Sequence, residues 1–344
     1  MEYIKLKKFL EVLQKAIEGR WSDVHLTTNE YIYYRQKSEL KILAGEIFSS
    51  KDFEEIITTI LNERQQNIFR SEKVIDFAYE FAKHRFRINI YAIYKGYSLA
   101  IRLINDKVKS ISEFYQQEIL QNILHNDNGL ILICGATGTG KSTTLASMIE
   151  YLNQNKYKHI ITLEEPIEYV FTNKKSLIHQ REYHVDFENF SDAIKMAMRQ
   201  DPDVIMVGEI RDSETMKACL NAAETGHLVL GTLHASSVVE AIIRMESFFN
   251  QKQIEAVSMQ IASSLNSIII QKLVPTLNND LVCCMDILLA SMAVKNLIAK
   301  NQLAQLISQM QLSKKMGMQF MRDDILKLIK AKLIDENKVK QYMG

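Results

Sequence analysis

A glycine-rich loop followed by a lysine and a serine is the part of this sequence most able to do chemistry. The pattern Gly135-x-x-x-x-Gly140-Lys141-Ser142 directly follows an apolar run at 130–134, and this spacing predicts a phosphate-binding loop between a strand and a helix. Glycines let successive backbone N–H groups turn inward around a phosphate, and a helix start adds partial positive charge. The expected nucleotide-binding residues are Gly135, Ala136, Thr137, Gly138, Thr139, Gly140, Lys141, Ser142 and Thr143.

Two side chains at the end of this loop indicate which phosphate ligand and which metal ion it binds. Lys141 would neutralise the β- and γ-phosphate oxygens, and the hydroxyl of Ser142 would bind Mg²⁺. ATP and Mg²⁺ are therefore the expected cofactors. The alternative is a chance glycine-rich turn, which the apolar run before the loop and the helical pattern after it disfavour.

Acidic residues follow two further apolar runs. Glu209 follows the run at 204–207, and Glu164 and Glu165 follow the run at 159–163. Carboxylates at the carboxyl ends of parallel strands lie where such sheets bind ligands. We expect Glu209 to hold Mg²⁺ through water or to polarise the attacking water, with Glu164 assisting. Glu165 is a further candidate metal ligand, and the sequence leaves open whether Glu164 or Glu209 activates the water.

Two histidines bracket the next predicted strand, 228–232. His234 comes at its carboxyl end, so we predict that it faces the γ-phosphate. Seven extended residues span roughly 23 Å, so His227 and His234 cannot bind one metal ion together. His227 is expected to have a structural role or to lie at an interface.

These residues need a sheet that brings the strand ends together. Strands alternating with helices predict a mostly parallel α/β domain over 113–344. Its last part, about 250–344, is expected to be helical, with methionines in the core. Before it, amphipathic helices and alternating strands predict a small α+β domain over 1–104, and the polar stretch 105–112 is predicted to be a linker.

Three arginines lie on the last predicted hairpin of the N-terminal domain. Arg85 and Arg87 are two residues apart and therefore share a face of one strand, and Arg102 is on the partner strand. Taken alone, they indicate a solvated sheet face. A functional role would need a phosphate, which only the glycine-rich loop could supply.

Composition excludes several classes of protein. The 344 residues carry 42 basic and 41 acidic side chains, so no overall field favours nucleic acid or an anionic membrane. The four cysteines form no C-x-x-C pair, so neither a zinc site nor a disulfide framework is predicted. The first helix has charges among its apolar positions, unlike a signal peptide, and no apolar run reaches the length of a membrane span.

Four blocks of sequence, in order and at characteristic spacings, resemble the type II/IV secretion ATPase superfamily, and within it the pilus-retraction motors. They look like its Walker A, Asp box, Walker B and His box. The blocks are GATGTGKST, ITLEEPIEYV, RQDPDVIMVGEIRDSET and TGHLVLGTLHASS.

The resemblance implies a homohexameric ATP-hydrolysing motor that powers type IV pilus retraction and twitching motility. Each subunit would have a PAS-like N-terminal domain and a RecA-like P-loop domain. Arg85, Arg87 and Arg102 would then complete a nucleotide site across a domain boundary. The implied location is cytoplasmic, at the inner face of the cytoplasmic membrane, where an inner-membrane pilus platform protein would provide peripheral attachment and nucleic acid would play no part.

The sequence departs from the family pattern at several positions. Glu165 replaces the usual Asp, Tyr94 stands where an arginine is often found, and Lys295 replaces Arg in the segment AVKNLI. An extension or type II secretion motor of the same superfamily is the alternative, although its usual larger N-terminal region and four-cysteine loop are not found. A nucleic-acid translocase is disfavoured by the near-neutral charge.

Overall fold

A computed structural model describes residues 6–36, 39–104, 107–278 and 280–340 of the chain. The protein is a mixed α/β molecule with an antiparallel N-terminal sheet and a parallel-rich C-terminal sheet, which confirms the predicted fold class. It divides into two compact units. The first comprises Met1–Lys107, Glu164–Val170 and Arg181–Glu188; the second comprises Val108–Leu163, Phe171–Gln180 and Asn189–Gly344.

The N-terminal unit is built on a six-stranded sheet in the order β3-β2-β1-β6-β5-β4, with neighbouring strands antiparallel. Helix α1 precedes the sheet, and α2 and α3 lie between β3 and β4 along the chain. The bounds are α1 Lys7–Gly19, β1 Asp23–Thr27, β2 Tyr31–Gln36, β3 Glu39–Ile47, α2 Ser50–Ile60, α3 Glu63–Glu72, β4 Val74–Phe81, β5 His84–Ile93 and β6 Gly96–Leu103.

Alternation in the strands separates two faces of this sheet. On β5, Phe86, Ile88 and Ile90 are fully buried and pack with the apolar sides of the helices, as the period of two requires. Arg85 and Arg87 therefore lie on the opposite face. Helix α3 was not expected from the sequence because its apolar positions are few, although Asn62 caps its start.

The C-terminal unit contains the seven-stranded sheet, in the order β13-β12-β7-β11-β10-β8-β9, except for Glu164 at the end of β8 and Arg181 and Glu182 at the end of β9, which belong to the first unit. Its elements begin with α4 Gln117–Ile123, β7 Gly129–Cys134, α5 Lys141–Asn155, β8 His159–Glu164, β9 Leu177–Glu182, α6 Phe190–Ala197, β10 Val204–Val207, α7 Ser213–Glu224, β11 Leu228–Leu233, α8 Val238–Ser247 and α9 Ile254–Ser264. They continue with β12 Leu265–Pro275, β13 Leu281–Leu289, α10 Met292–Ala299, α11 Leu306–Leu312, α12 Met321–Lys330 and α13 Glu336–Val339.

Parallel pairing brings the carboxyl ends of the central strands to one edge. Strand β7 pairs with β11, β11 with β10 and β10 with β8, all in parallel. Strands β7, β10 and β11 are buried at every position, which is typical of strands covered on both faces. The chain leaves these strands at Gly135, Gly208 and His234, so the residues that follow them are neighbours.

The predicted helical region from about 250 contains an unexpected hairpin. Strands β12 and β13 pair in antiparallel fashion over nine residue pairs, and β12 also pairs with β7 in parallel. The run Ile268–Ile270 is fully buried in the sheet, and its β-branched side chains favour a strand over a helix. The prediction of a helix-rich region did not include this hairpin, although the same region also contains the helices α9 to α13.

The predicted domain limits, 1–104 and 113–344, stay a prediction. In the structure the first compact unit also includes the internal segments Glu164–Val170 and Arg181–Glu188. Residues 105 and 106 of the predicted linker lie outside the described residues. A 3₁₀ turn, Ile111–Glu113, overlaps the end of this stretch and precedes α4.

Candidate nucleotide site

The glycine-rich loop joins β7 to the start of α5, as its spacing predicts. Gly140 has φ +85 and caps the helix, which begins at Lys141. A Cβ atom on Gly135 would lie 2.6 Å from Thr139 Oγ1 and 2.7 Å from the Gln271 carbonyl oxygen. No side chain fits there, and only glycine readily adopts the backbone angle at 140.

The outer part of the loop is accessible to a ligand. Ala136, Thr137, Gly138 and Ser142 are exposed, and Thr139, Lys141 and Thr143 are partly buried. The Lys141 ammonium donates to the carbonyl oxygens of Gly135 and Ala136, both at 2.9 Å. Its charge is thus held directly at the loop, where a phosphate would be neutralised.

Gln271 on β12 supports the loop, and no local sequence pattern marks it as a site residue. Its side chain is 1 % exposed. Its Nε2 donates to the Thr139 carbonyl at 2.6 Å, and its Oε1 accepts from the Thr144 hydroxyl at 2.8 Å. One buried amide therefore links the loop to the first turn of α5.

Glu209 and His234 come together at the ends of adjacent strands. The Nε2 of His234 lies 3.1 Å from Oε1 of Glu209, and Arg211 Nη2 donates to Glu209 Oε2 at 2.7 Å. The carboxylate is half-buried, while His234 and Arg211 are more exposed. Arg211 was not a predicted site residue, although it is only two positions from Glu209.

Electrostatics keep the Glu209 carboxylate ionised. Burial raises its pKa, but the hydrogen bond and charge of Arg211 and the charges of His234 and Lys141 outweigh burial, so the pKa lies below its ordinary value. The loop that carries Lys141 follows β7, and β7, β11 and β10 pair in parallel, so the lysine and this carboxylate lie at the same edge of the sheet.

Thr232 of β11 fixes the backbone that carries Glu209. Its buried hydroxyl donates to the Gly208 carbonyl at 2.5 Å, and the Ile210 amide donates to the Thr232 carbonyl at 3.0 Å. The residues on both sides of Glu209 are thereby hydrogen-bonded to the neighbouring strand. His227, at the other end of β11, contacts the Ala222 carbonyl through Nδ1 at 3.0 Å, a structural contact.

The three predicted arginines lie in the N-terminal unit and have different surroundings. Arg85 is largely buried and ion-paired with Glu182 at 2.7 Å. Arg87 is paired with Asp76 at 2.5 Å and is 3.7 Å from Glu168. The Arg102 side chain is 67 % exposed and bonds to Asp23 at 2.7 Å.

The acidic turn at the end of β8, residues 164–168, also belongs to the N-terminal unit. Glu164 is buried, and its carbonyl accepts from the Tyr183 amide at 2.8 Å. Glu165 is partly buried and its charge acts on Arg87. The structure therefore groups Glu164 and Glu165 with the arginines, and it groups Glu209 and His234 with the glycine-rich loop.

The donors expected for Mg²⁺ are of the right chemical kind. Ser142 offers an exposed hydroxyl in the first turn of α5, and Glu209 offers an ionised carboxylate; oxygen ligands with several retained waters suit this ion. Among the described residues no three His, Cys, Asp or Glu side chains form a protein-only metal cluster. In the same residues, no helix is both long and apolar enough to span a membrane.

Comparison with known proteins yields a family model, described as type II/IV secretion system protein, that matches residues 4–319. The chain is 37 % identical to the type IV pilus retraction ATPase PilT of Pseudomonas aeruginosa over 94 % of each chain. It is 40 % identical to a twitching motility protein of Neisseria gonorrhoeae, over 83 % of this chain and 77 % of the relative.

Solved structures agree with these sequence matches. A crystal structure of the pilus retraction motor PilT with bound ADP superposes with a TM-score of 0.86 and 37 % identity, covering 96 % of each chain. The ATPase DotB of Legionella pneumophila also gives a TM-score of 0.86, at 28 % identity, covering 97 % of this chain and 95 % of that one. Together with the loop geometry, these matches show that the chain belongs to the type II/IV secretion system protein family, as one of its P-loop ATPases.

Proposed function

We propose that this protein is the ATP-hydrolysing motor that powers type IV pilus retraction. The observation that carries the proposal is that parallel pairing of β7, β11 and β10 brings the glycine-rich loop with Lys141 to the same edge of the sheet as the contact between Glu209 and His234. This convergence occurs in a chain 37 % identical to a retraction ATPase over 94 % of its length.

In the proposed site the loop 135–143 binds the phosphates of ATP through its backbone, and Lys141 neutralises the β- and γ-oxygens. Ser142 binds Mg²⁺ directly, and Glu209 binds it through water or polarises the attacking water. Because Arg211, His234 and Lys141 keep Glu209 ionised, its carboxylate is suited to attract Mg²⁺ and its waters. Magnesium would draw electrons from the phosphoryl oxygens and so lower the barrier to hydrolysis.

The remaining predicted residues have supporting parts in this proposal. His234 senses whether the γ-phosphate is present through its contact with Glu209. Glu164 assists with the attacking water, and Glu165 is a further candidate metal ligand.

The active form is proposed to be a homohexamer. The cations suited to the γ-phosphate, Arg87 and Arg102, lie in a different unit from the loop, so a neighbouring subunit can supply them. An arginine delivered in this way accelerates phosphoryl transfer about a thousandfold or more in known cases.

The motor is proposed to act in the cytoplasm, at the inner face of the cytoplasmic membrane. It would attach there peripherally, through an inner-membrane pilus platform protein, and transmit force to the pilus through that partner. Nucleic acid is not a proposed partner, because the near-neutral net charge of +1 offers no general attraction to phosphate backbones.

Two substitutions test the ATPase site. Lys141→Ala should abolish ATP hydrolysis because the β/γ charge is left uncompensated, whereas Glu209→Gln should retain ATP binding and lose turnover. Lys217→Ala and Glu214→Gln, both on the exposed side of α7, are the matched controls and should hydrolyse ATP like the wild type. Wild-type turnover by Lys141→Ala would refute the site.

Deletion of the gene tests the direction of force. Cells that accumulate immobile surface pili and lose twitching support retraction. Cells without pili would instead indicate an extension motor of the same family, and unchanged piliation and twitching would remove the pilus assignment altogether.

A further inference from the structure

The buried carboxylate of Glu182 is the centre of a polar junction inside the N-terminal unit. The residue is 5 % exposed. Its Oε2 accepts from Arg85 Nη2 at 2.7 Å and from the Ile167 amide at 3.2 Å, and its Oε1 accepts from the Ala78 amide at 3.3 Å. Every one of these partners belongs to the same compact unit.

The guanidinium of Arg85 binds the same turn from the other side. Its Nε donates to the Ile167 carbonyl at 2.7 Å while its Nη2 donates to Glu182. Both backbone groups of Ile167 are therefore held by one ion pair. Ile167 follows Glu164 and Glu165 by only three and two residues, so the pair fixes the backbone of the acidic turn.

Arg87, on the same face of β5, does not share this arrangement. It forms two hydrogen bonds from Nε to Asp76, at 3.1 and 2.9 Å, and its contact with the acidic turn is a longer one, 3.7 Å to the Glu168 carboxylate. No hydrogen bond from Arg87 to the backbone of that turn is found within the described part of the chain. Arg85 and Arg87 are thus equivalent in sequence pattern and different in structure.

We infer that Arg85 and Glu182 are positioning residues for ATP hydrolysis that act within their own subunit, by holding the turn that carries Glu164 and Glu165. The inference rests on the proposed function, and it separates Arg85 from Arg87 and Arg102, which are proposed to act on a neighbouring subunit. The physical reason is that two donors of Arg85 are already used within its own subunit. Its Nε donates to the Ile167 carbonyl and its Nη2 donates to the buried Glu182 carboxylate in a charge-assisted hydrogen bond.

A kinetic comparison tests the positioning role. Glu182→Gln keeps the shape and an acceptor for Ile167 but removes the charge that holds Arg85. We expect its kcat to fall between about tenfold and a hundredfold, with KM for ATP within twofold, because misplacing a reacting group by about 1 Å has effects of this size. Arg85→Lys keeps both charges of the pair but has no second planar donor for the Ile167 carbonyl, so its kcat should be intermediate.

Two further variants distinguish a loss of positioning from a general loss of stability. Replacing the pair together, Arg85→Met with Glu182→Leu, removes both charges and so leaves no uncompensated buried ion; this protein should fold and still show the reduced kcat. The control changes another ion pair of the same unit, Lys15→Met with Glu46→Leu, and should retain the wild-type kcat.

Hydrogen–deuterium exchange of the peptide 164–170 gives a readout independent of turnover. Exchange should accelerate in Glu182→Gln and in the Arg85/Glu182 double variant and stay at the wild-type rate in the Lys15/Glu46 control. Unchanged exchange in the first two proteins, or a wild-type kcat despite faster exchange, would overturn the inference.

Mixed rings decide between action within a subunit and action across subunits. Glu182→Gln or Arg85→Lys subunits mixed with Lys141→Ala subunits should show no recovery of activity, because each defect lies in its own chain's site. Recovery above both parents would overturn the inference. If Lys141→Ala itself hydrolyses ATP normally, the proposed function fails; if Lys141→Ala is inactive and Glu182→Gln is fully active, only the positioning role fails.

Discussion

Replacing Gln271 by methionine should weaken nucleotide binding without unfolding the protein. The substitution keeps the length and volume of a buried side chain but removes the hydrogen bonds to Thr139 and Thr144. A neutral hydrogen bond contributes about 1 kcal/mol, so the loop loses about 2 kcal/mol of support. Since about 1.4 kcal/mol corresponds to tenfold in affinity, the largest expected effect is a roughly 30-fold increase in Kd for ADP.

Calorimetric titration of ADP at constant Mg²⁺ measures this change, and thermal unfolding reports whether the variant is folded. Ser267→Ala is the matched control: Ser267 is a fully buried polar residue on the same strand, and its hydroxyl has no hydrogen-bond partner in the described structure. Its removal should leave Kd unchanged. A folded Gln271→Met protein that binds ADP with wild-type affinity would show that the loop keeps its conformation without this amide.

Two other outcomes follow from the Glu209 segment. The folded-state pKa of Glu209 is lowered, so its carboxylate stabilises the fold above its ordinary pKa of 4.5, and this stability is lost as pH falls through the lower folded value. Denaturant unfolding should therefore show that the difference in unfolding free energy between wild type and Glu209→Gln rises with pH and levels off above 4.5. A difference that falls with rising pH would contradict the assigned shift. Thr232→Val should reduce kcat about fivefold, the equivalent of one hydrogen bond of about 1 kcal/mol, with ADP affinity unchanged; a wild-type rate would mean that the Gly208 carbonyl does not need the Thr232 hydroxyl.

Local patterns in the sequence predicted the elements that carry the candidate site. The glycine spacing before Lys141 reports backbone angles and close approaches directly, and the structure shows both at Gly135 and Gly140. Buried runs followed by an acid or a histidine predicted where the chain leaves β10 and β11. The meeting of Glu209 with His234 then follows from parallel pairing.

Contacts between distant parts of the chain could not be predicted in the same way. Gln271 is 130 residues beyond Lys141, on a strand that was interpreted as part of a helical region. Arg85 and Arg87 occupy equivalent positions of one alternating strand, and only the tertiary partners Glu182 and Asp76 distinguish them. Periodicity in the sequence predicts the face of the strand on which a side chain lies, but it does not predict the residue that the side chain contacts there.

The division of the N-terminal unit into three chain segments constrains how the protein is made. A ribosome that has released residues 1–107 has supplied the whole six-stranded sheet but neither Ile167 nor Glu182, the groups that hold the buried guanidinium of Arg85. About 80 more residues must follow before segment Arg181–Glu188 is complete, a delay of roughly 4 to 16 s at usual translation rates. The first unit to begin folding therefore cannot finish before much of the nucleotide-binding unit, including β7 and α5, has emerged.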